Sequence, residues 1–415
     1  MKKNIIAGLD LGTTKVCAVI SEIQDDKIKI LGFGVAVSEG MHRGLVNNIS
    51  KTSEAIKTAV SIAENRAGVA IKQVNVGVAG EHITSLRHRN YVTITNEDHE
   101  ITKEDLQRLE NDVRTIRIPG DKQILHIIPE EFFVDDQGQI DNPIGMTGSR
   151  LEATNHIVLA SAAAMQNIKK AVERAGLQVN QYILQPIASS ASVLEESEKD
   201  LGTLLIDIGG GTTDIAIIHH KAIKHSKVFG VAGNQVTNDI RETLGVIDTE
   251  AEKLKKEYGF ALVSSIIEDK EIIIRTGGAR ANVKIPTSVL TQIISYRMRE
   301  LFTLIDNAVK SEGLKSKIRS GVVLTGGGSL LRGVTDLAEE VFGLPARLGV
   351  PLEQSTGVLS EIEKPEFATV VGLLKGVPGV KATSTTIKFQ STNKKKRKNP
   401  FKAVWNGINQ FFKDL

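Results

Sequence analysis

The chain of 415 residues is too long for one compact core, and its length predicts roughly two to four domains. Hydrophobic residues make up 41% and charged residues 24%, with a net charge of +3, a balance typical of globular proteins that excludes wholesale disorder. The one cysteine, Cys17, excludes an internal disulfide and a zinc cluster, and the apolar runs are shorter than the ~18 residues of a membrane-spanning helix, so a cytosolic chain is predicted.

The first 80 residues alternate between predicted strands and a predicted helix. Strands are predicted at residues 4–9, 15–20, 27–37 and 75–80, and helical spacing of apolar residues predicts a helix that ends at Gly68. From about 84 to 163 the chain is more highly charged, with a helix near 102–115 and an extended stretch at 123–134, which predicts an inserted small domain. A helix over 162–175 then returns to the first domain.

A second unit begins near Thr203 and runs to about Leu352. It contains predicted helices at 236–244, 248–258 and 286–312. Residues 381–398 then have few apolar side chains and many Ser, Thr and Lys residues, a composition typical of a flexible linker.

An approximate repeat about 200 residues apart relates the two units. AGLDLGTTK at residues 7–15 is echoed by LIDIGGGTTD at 205–214, and each has an apolar strand, an Asp, a glycine turn and two Thr residues. Glycines let backbone N–H groups approach an anion closely, and an Asp at a strand end suits Mg²⁺ held mainly through waters. Each segment alone is equally typical of an ordinary β-hairpin.

A third glycine-rich element follows the two hairpins. VVLTGGGSLL at residues 322–331 predicts a strand that passes through a glycine turn into a helix, where a flat base or a phosphate could approach the helix N-terminus. The segment supplies neither the dinucleotide-binding pattern G-x-G-x-x-G nor a P-loop.

Two phosphate hairpins followed by a glycine-rich turn are typical of the actin, Hsp70 and sugar-kinase ATPase superfamily. Within it, the chain resembles the FtsA family of bacterial cell-division proteins. The stretches that carry the resemblance lie between residues 8 and 374 and read GLDLGTTKVCAVI, LLIDIGGGTTDIAII, VAGNQVTNDI, AEKLKKEYG, VVLTGGGSLLRGV and PEFATVVGLL. The resemblance implies an α/β, actin-like two-lobed ATPase fold with an inserted small subdomain and a C-terminal amphipathic helix.

The resemblance also implies domain boundaries. The first lobe core would comprise 1–83 and 164–200, completed by 365–380, with the inserted subdomain at 84–163. The second lobe core would comprise 201–230 and 301–364, with its small subdomain at 231–300. A basic linker at 381–398 would lead to a membrane-binding helix at 399–415.

By the same resemblance, the two lobes would bind ATP and Mg²⁺. Asp10 and Asp207 would face the metal ion, largely through water. The phosphates would be held by Gly12, Thr13, Thr14, Lys15, Gly209, Gly210, Gly211, Thr212 and Thr213. The adenosine would contact Gly327 and Gly328, and Glu252 and Lys255 would meet the ribose or the base. The alternative for Glu252 and Lys255 is a solvated helix face, because Lys253, Lys256 and Glu257 surround them.

Hydrolysis depends on how the segment YILQP at residues 182–186 aligns with the family. Active members of the superfamily position the attacking water with a Glu or Gln just before a helix of the first lobe, and either Leu184 or Gln185 fits that place. A leucine there could not orient water, so slow turnover is expected in that case.

The C-terminal tail carries the basic character of the chain. Residues 381–415 hold nine Lys or Arg against one Asp, whereas the remainder holds 43 bases and 48 acids. The mildly acidic body makes nucleic-acid binding unfavourable, and the tail points to a polyanionic surface. The basic run comprises Lys394, Lys395, Lys396, Arg397 and Lys398.

An amphipathic helix is predicted directly after this run. Asn399 and Pro400 are favoured at a helix N-terminus. At ~100° per residue one arc of about 120° collects Phe401, Val404, Trp405, Ile408, Phe411, Phe412 and Leu415. Docking on the protein's own core and a nucleic-acid role for the basic run are the alternatives. The polar linker and the Trp/Phe face favour an interfacial helix on anionic lipid, as in the FtsA family.

The family resemblance implies a cell-division protein that anchors the FtsZ ring at the cytoplasmic side of the membrane. It implies binding to FtsZ, self-association into actin-like filaments and contacts with other division proteins. Arg297 fits the position of a family arginine that meets the acidic FtsZ peptide, although a solvated helix face is the alternative. The rival interpretations are a pilus-assembly ATPase and a small-molecule kinase on the same fold, while too few residues follow position 380 for an Hsp70-like substrate domain.

Overall fold

The computed structural model describes residues 4–24, 27–274, 283–352, 355–357 and 361–375. The chain begins with strands β1 (Asn4–Leu11), β2 (Lys15–Gln24) and β3 (Lys27–Val37), a short ribbon of β4 (Met41–His42) and β5 (Leu45–Val46), helix α1 (Ile49–Ala67) and strand β6 (Gln73–Val78). The side chain of Asn48 caps the start of α1, and Gly68 ends it in the left-handed conformation that glycine adopts without strain. These elements confirm the strand and helix pattern predicted for this part of the chain.

The inserted subdomain follows as a four-stranded sheet covered by one helix. It consists of β7 (Thr84–Thr93), α2 (Lys103–Val113), β8 (Lys122–Val134), β9 (Gln137–Ile140) and β10 (Arg150–Ser161), with the strand order β7-β10-β8-β9. Thr102 and Asp105 form a capping box at the start of α2, each side chain bonding the backbone N–H of the other residue.

The chain then returns to the first lobe through α3 (Ala162–Arg174) and β11 (Gln178–Leu184), followed by α4 (Gln185–Val193) and α5 (Glu196–Leu201). The sheet of this lobe has the order β11-β6-β1-β2-β3, extended at one edge by a strand near the C-terminus. Strands β11, β6 and β1 are mutually parallel, whereas β1, β2 and β3 form an antiparallel meander.

The second lobe repeats this plan. Its elements are β12 (Thr203–Ile208), β13 (Thr213–His219), β14 (Ala222–Phe229), α6 (Gly233–Leu244), α7 (Asp248–Tyr258), β15 (Glu271–Ile274), β16 (Val283–Pro286), α8 (Thr287–Ser311), β17 (Gly321–Thr325), α9 (Val334–Phe342) and β18 (Ala346–Leu348). The main sheet has the order β14-β13-β12-β17-β18, and β15 pairs with β16 as a separate ribbon.

The last described elements are β19 (Ser355–Gly357) and α10 (Ala368–Gly372). Strand β19 pairs in parallel with β3, so it belongs to the sheet of the first lobe. The range 301–364 predicted for the second lobe core is therefore wrong at this strand. The local sequence of a strand does not indicate which sheet it joins. Among the described residues, no helix combines the length and apolarity needed to cross a bilayer. The predicted linker at 381–398 and helix at 399–415 lie outside the described residues.

Helices α4 and α10 pack between the two sheets. A Cβ on Gly372 of α10 would lie 1.8 Å from the carbonyl oxygen of Ala188 in α4, so only glycine permits this contact. Because side chains alternate along a strand, Leu204 and Ile206 of β12 face a core that includes α6, α8 and α9, whereas Leu205 packs with residues of α4 and α10. Asp207 has the parity of Leu205, and this alternation directs its carboxyl group toward the two helices.

Candidate functional site

The two glycine hairpins and the glycine turn meet in one cleft of about 600 Å³. Of the residues predicted to bind phosphate, metal or adenosine, all but Thr213 line it, and Gln185 lines it as well. The cleft brings together residues that are far apart in sequence, such as Lys15 and Glu366, which are separated by 351 positions.

The two hairpins have the same internal geometry. The backbone N–H of Gly12 donates to the carbonyl oxygen of Lys15 at 3.0 Å, and that of Gly209 donates to Thr212 at 2.9 Å. The hairpin tips also touch, since a Cβ on Gly210 would lie 2.3 Å from Cγ2 of Thr14. A side chain at position 210 would therefore crowd Thr14 of the other lobe, in addition to any bound anion.

Thr213 does not line the cleft, contrary to the prediction. Its hydroxyl donates to the carbonyl oxygen of Val231 at 2.7 Å, on the side of β13 where Ile215 and Ile217 face the core of the second lobe. Thr212 and Asp214 have the opposite parity and do line the cleft. The sequence repeat suggested two equivalent threonines, but strand alternation places only the first of them at the site.

Three carboxyl groups lie at the hairpin end of the cleft, those of Asp207 and Asp214 buried and that of Asp10 partly buried. Burial, and then the proximity of Asp207, raise the pKa of Asp10 to about 7, while Lys15 opposes the shift. Burial and then Asp207 raise the pKa of Asp214 to about 8. Burial also raises the pKa of Asp207, although hydrogen bonds from Ser189 and Thr369 lower it. A bound cation would favour the ionised form of all three groups.

Helix α4 reaches both lobes from one face. The side-chain amide of Gln185 donates to Oδ1 of Asp10 at 2.8 Å, and one turn later the hydroxyl of Ser189 donates to Oδ2 of Asp207 at 2.7 Å. The hydroxyl of Thr369 in α10 donates to the same Oδ2 at 3.0 Å. Leu184, the alternative to Gln185, is buried in the core that contains α4 and α10. Of the two candidates, only Gln185 has its side chain in the cleft.

Lys15 extends from the start of β2 into the cleft. Its ammonium group lies 2.6 Å from Oε2 of Glu366 and 4.3 Å from the centre of the Phe367 ring. Glu366 also lines the cleft. Lys15 therefore lines the cleft, and its charge is paired with a carboxylate that has no assigned role in the sequence prediction.

The opposite end of the cleft is formed by the second lobe. Lys255 lies 2.6 Å from Glu252 and donates to the carbonyl oxygen of Gly233 at 2.9 Å and to the hydroxyl of Thr237 at 2.8 Å. Burial lowers the pKa of Lys255, and Glu252 opposes that shift. These contacts exclude a fully solvated helix face for the pair.

The glycine turn differs from its prediction in one respect. A short 3-10 helix at Gly327–Leu330 follows β17, and α9 begins only at Val334. This turn therefore does not present the N-terminus of an α-helix to the cleft. A Cβ on Gly327 would meet no atom within 4 Å, whereas one on Gly328 would lie 2.4 Å from Cγ2 of Ile208.

Three cleft residues, Asp214, Glu366 and Thr369, lie within quoted family stretches but were left without a role. Thr369 donates to Asp207 from 162 positions away, and Ser189, which is not in the cleft lining, donates to it from 18 positions away. The Asp after the paired threonines was the available signal for Asp214, whose Oδ1 atom has no hydrogen-bond partner among the described residues.

The residues at the hairpin end fit a Mg²⁺ ion held mainly through water. Within the described ranges, no group of three or more His, Cys, Asp or Glu side chains is placed to hold a metal ion by itself. Asp10 and Asp207 supply carboxylate oxygens, which are the ligands this ion prefers, and Mg²⁺ usually keeps several waters and binds substrate phosphates.

Arg297 lies outside the cleft, on α8. Its guanidinium binds both carboxylate oxygens of Asp239 in α6, at 2.5 and 3.0 Å, and also contacts Glu300. The side chain is 25% exposed, so it is accessible at the surface but already paired within the protein. The predicted membrane-binding residues of the tail lie outside the described residues.

Comparison with known proteins identifies the domains. A sequence model described as "Cell division protein FtsA" matches residues 204–372, and one described as "SHS2 domain inserted in FTSA" matches residues 80–159, which coincides with the inserted four-stranded sheet.

Among solved structures, the chain is similar to the PilM-PilN type IV pilus biogenesis complex, with a TM-score of 0.65 at 16% identity, covering 89% of this chain and 97% of that one. It also resembles MreB5 of Spiroplasma citri bound to ADP, with a TM-score of 0.53 at 16% identity, covering 90% of this chain and 95% of that one. The predicted actin-like two-lobed fold with an inserted subdomain is confirmed.

Curated relatives extend the similarity along the chain. A cell division protein FtsA from Neisseria meningitidis is 40% identical over 375 residues, covering 90% of both chains. The corresponding protein from Borreliella burgdorferi is 35% identical over 413 residues, covering 98% of this chain and 100% of the relative. With such identity over nearly the full length, the chain belongs to the FtsA family of cell division proteins.

Proposed function

We propose that the chain binds Mg–ATP in the cleft between its lobes and joins the FtsZ ring to the cytoplasmic membrane. The observation that carries the nucleotide proposal is the meeting of both hairpins and the glycine turn around Lys15 and the carboxyl groups of Asp10, Asp207 and Asp214. Calorimetric titration of the full chain with Mg–ATP tests it, and the absence of binding would overturn it.

The charge at the hairpin end supports a requirement for Mg²⁺. Lys15 lies near the carboxyl groups of Asp10 and Asp207 and pairs with Glu366, while Asp214 lines the same end of the cleft. When these acids are ionised they outnumber the lysine and would repel a polyphosphate, and a divalent cation bound by carboxylates and phosphates reverses this repulsion. The backbone N–H groups and hydroxyls of the two hairpins would hold the phosphates, while Gly327, Gly328, Glu252 and Lys255 would contact the adenosine.

Hydrolysis is proposed to be slow, with Gln185 as the residue that orients water. Its amide bonds Asp10 and lies at the cleft, but a glutamine is a weak base and serves only to position the water. We expect turnover well below the ~10 per second of a median enzyme. Gln185→Ala should lower this rate by about ten- to a hundredfold with little change in ATP affinity.

The measurement is phosphate release under single-turnover conditions. Gln178→Ala is a suitable control, because Gln178 lies on β11 and bonds Gln73 away from the cleft. Rapid turnover that Gln185→Ala leaves unchanged would remove Gln185 from the water site.

The division role is supported by family membership and by the sequence of the tail. We infer a peripheral protein at the cytoplasmic side of the membrane, where the tail helix binds anionic lipid and the body binds FtsZ. Self-association into filaments is inferred from the actin-like fold, and contacts with other division proteins from the family. The likeness to the pilus complex reflects the fold and adds no observation in favour of a pilus role.

Arg297 is proposed to contact the acidic C-terminal peptide of FtsZ. Arg297→Glu should weaken peptide binding by about tenfold or more, because an attractive charge becomes a repulsive one. The same substitution breaks the pair with Asp239, so binding must be compared with thermal unfolding.

A charge-swapped variant separates the two roles. Combining Arg297→Asp with Asp239→Arg retains an ion pair between α6 and α8 while changing the charge at position 297. Fluorescence anisotropy of a labelled peptide should still show weakened binding. Wild-type affinity in both variants would remove Arg297 from the partner site.

A further inference from the structure

Glu366 forms an ion pair with Lys15 at the hairpin end of the cleft. Its Oε2 atom lies 2.6 Å from Nζ of Lys15, and the side chains are 29% and 23% exposed, respectively. The ring of Phe367 lies beneath the same ammonium group, and Phe367 packs edge-on against Phe33. The carboxylate is thus fixed beside Lys15 by a segment whose next side chain is anchored in the core of the first lobe.

The segment that carries Glu366 is tied to the rest of the site. The carbonyl oxygen of Pro365 accepts hydrogen bonds from the backbone N–H of Gly326 and from the hydroxyl of Thr325, at the start of the glycine turn. Thr369, three residues after Glu366, donates to Asp207. These contacts limit how far the backbone at Glu366 can move. The carboxylate can therefore leave Lys15 mainly by rotation of the Glu366 side chain.

We infer that Glu366 competes with the phosphate groups of a bound nucleotide for Lys15, and thereby sets the affinity of the cleft for di- and triphosphates. The inference rests on the proposed nucleotide binding and names a residue that regulates it. A carboxylate and a phosphate oxygen accept hydrogen bonds from the same N–H donors of an ammonium group. Because both acceptors are negatively charged, they repel each other when they bind the same ammonium group. A bound phosphate must therefore either displace the Glu366 carboxylate from Lys15 or bind beside it and be repelled by its negative charge.

This arrangement predicts an unusual direction of effect for a cleft mutation. Glu366→Gln keeps the shape of the side chain but removes its charge, so Lys15 becomes available to phosphate. We expect Mg–ATP and Mg–ADP to bind about tenfold more tightly than in the wild type. Adenosine, which has no phosphate, should bind with unchanged affinity. A role for Glu366 in holding Mg²⁺ would instead make Mg–ATP binding weaker.

The experiment is calorimetric titration of the full chain with Mg–ATP, Mg–ADP and adenosine, with thermal unfolding as a check on the fold. Glu361→Gln is the matched control, because Glu361 lies five residues earlier and pairs with Arg66 outside the cleft. In a Lys15→Gln background, Glu366→Gln should change ATP affinity by less than about twofold, since the two residues act through one contact. Glu366→Asp, which keeps the charge but shortens its reach, should give an intermediate affinity if the glutamine variant fails to fold.

The outcomes separate this inference from the nucleotide proposal. Wild-type binding of ATP with unchanged or weaker binding in Glu366→Gln would overturn the competition while leaving the nucleotide site in place. Equal tightening for adenosine would also overturn it, because the change would then act through the shape of the cleft. Absence of ATP binding in every variant would overturn both.

Discussion

Gly327→Val should abolish measurable Mg–ATP binding while leaving the protein folded. The residue lines the cleft and is exposed, and a Cβ there would meet no atom within 4 Å, so the fold can accept the side chain. A bound adenosine would occupy the space that the valine fills. We expect affinity to fall at least a hundredfold, equivalent to about 2.7 kcal/mol.

The neighbouring glycines do not offer so clean a test. A Cβ on Gly326 would lie 2.3 Å from Asp207 and one on Gly328 would lie 2.4 Å from Ile208, so substitution there would disturb the protein itself. Gly120→Val is the matched control, because Gly120 is exposed on the inserted subdomain and also has open space at its Cβ position. Calorimetry and thermal unfolding decide the result. Equal ATP affinity in the wild type and Gly327→Val would exclude the glycine turn from the nucleotide site.

Trp405→Glu should remove most of the affinity of the chain for anionic vesicles. Position 405 lies outside the described residues, and the prediction rests on the helical spacing of the tail. A charge at the centre of the apolar arc costs at least ~2.5 kcal/mol at full depth, less near the interface, and the lost apolar burial costs on the order of 2 kcal/mol. Together these lower membrane affinity by about two orders of magnitude or more.

Asn406→Glu is the control for this prediction. It introduces the same charge one residue later, about 100° around the helix, and should have a small effect through repulsion from the lipid. Vesicle sedimentation at several salt concentrations is the measurement, and wild-type binding should weaken as salt rises. Equal sedimentation of the two variants would mean that the tail is not an interfacial helix.

Local sequence patterns predicted most of the regular structure. The two hairpins were predictable because each combines an apolar strand with a glycine turn, and the helix at Asp248–Tyr258 agrees with its prediction at both ends. The repeat also paired Asp10 with Asp207, and both residues line the cleft. It failed at Thr213, because similarity between two segments does not reveal which side of a strand each side chain faces.

Contacts between distant segments could not be read from the sequence. Lys15 and Glu366 are separated by 351 positions, and Thr369 is 162 positions from the Asp207 that it bonds. Helix α4 could be predicted to begin near Pro186, but its role in holding one carboxylate from each lobe depends on how the two sheets pack. The family stretch that contains Glu366 was recognised, but no function was predicted for Glu366 itself. Its ion-pair partner depends on the tertiary fold and cannot be read from the sequence.

The proposed division role requires that the full chain link FtsZ to lipid and that the tail supply the contact with lipid. Flotation of anionic vesicles with purified FtsZ, Mg–ATP and either the full chain or a chain that ends at residue 380 measures this link. FtsZ is expected to float with the vesicles only when the full chain is present, and the shortened chain is expected to bind ATP. Flotation of FtsZ to the same extent with the shortened chain would contradict a role of the tail in anchoring FtsZ.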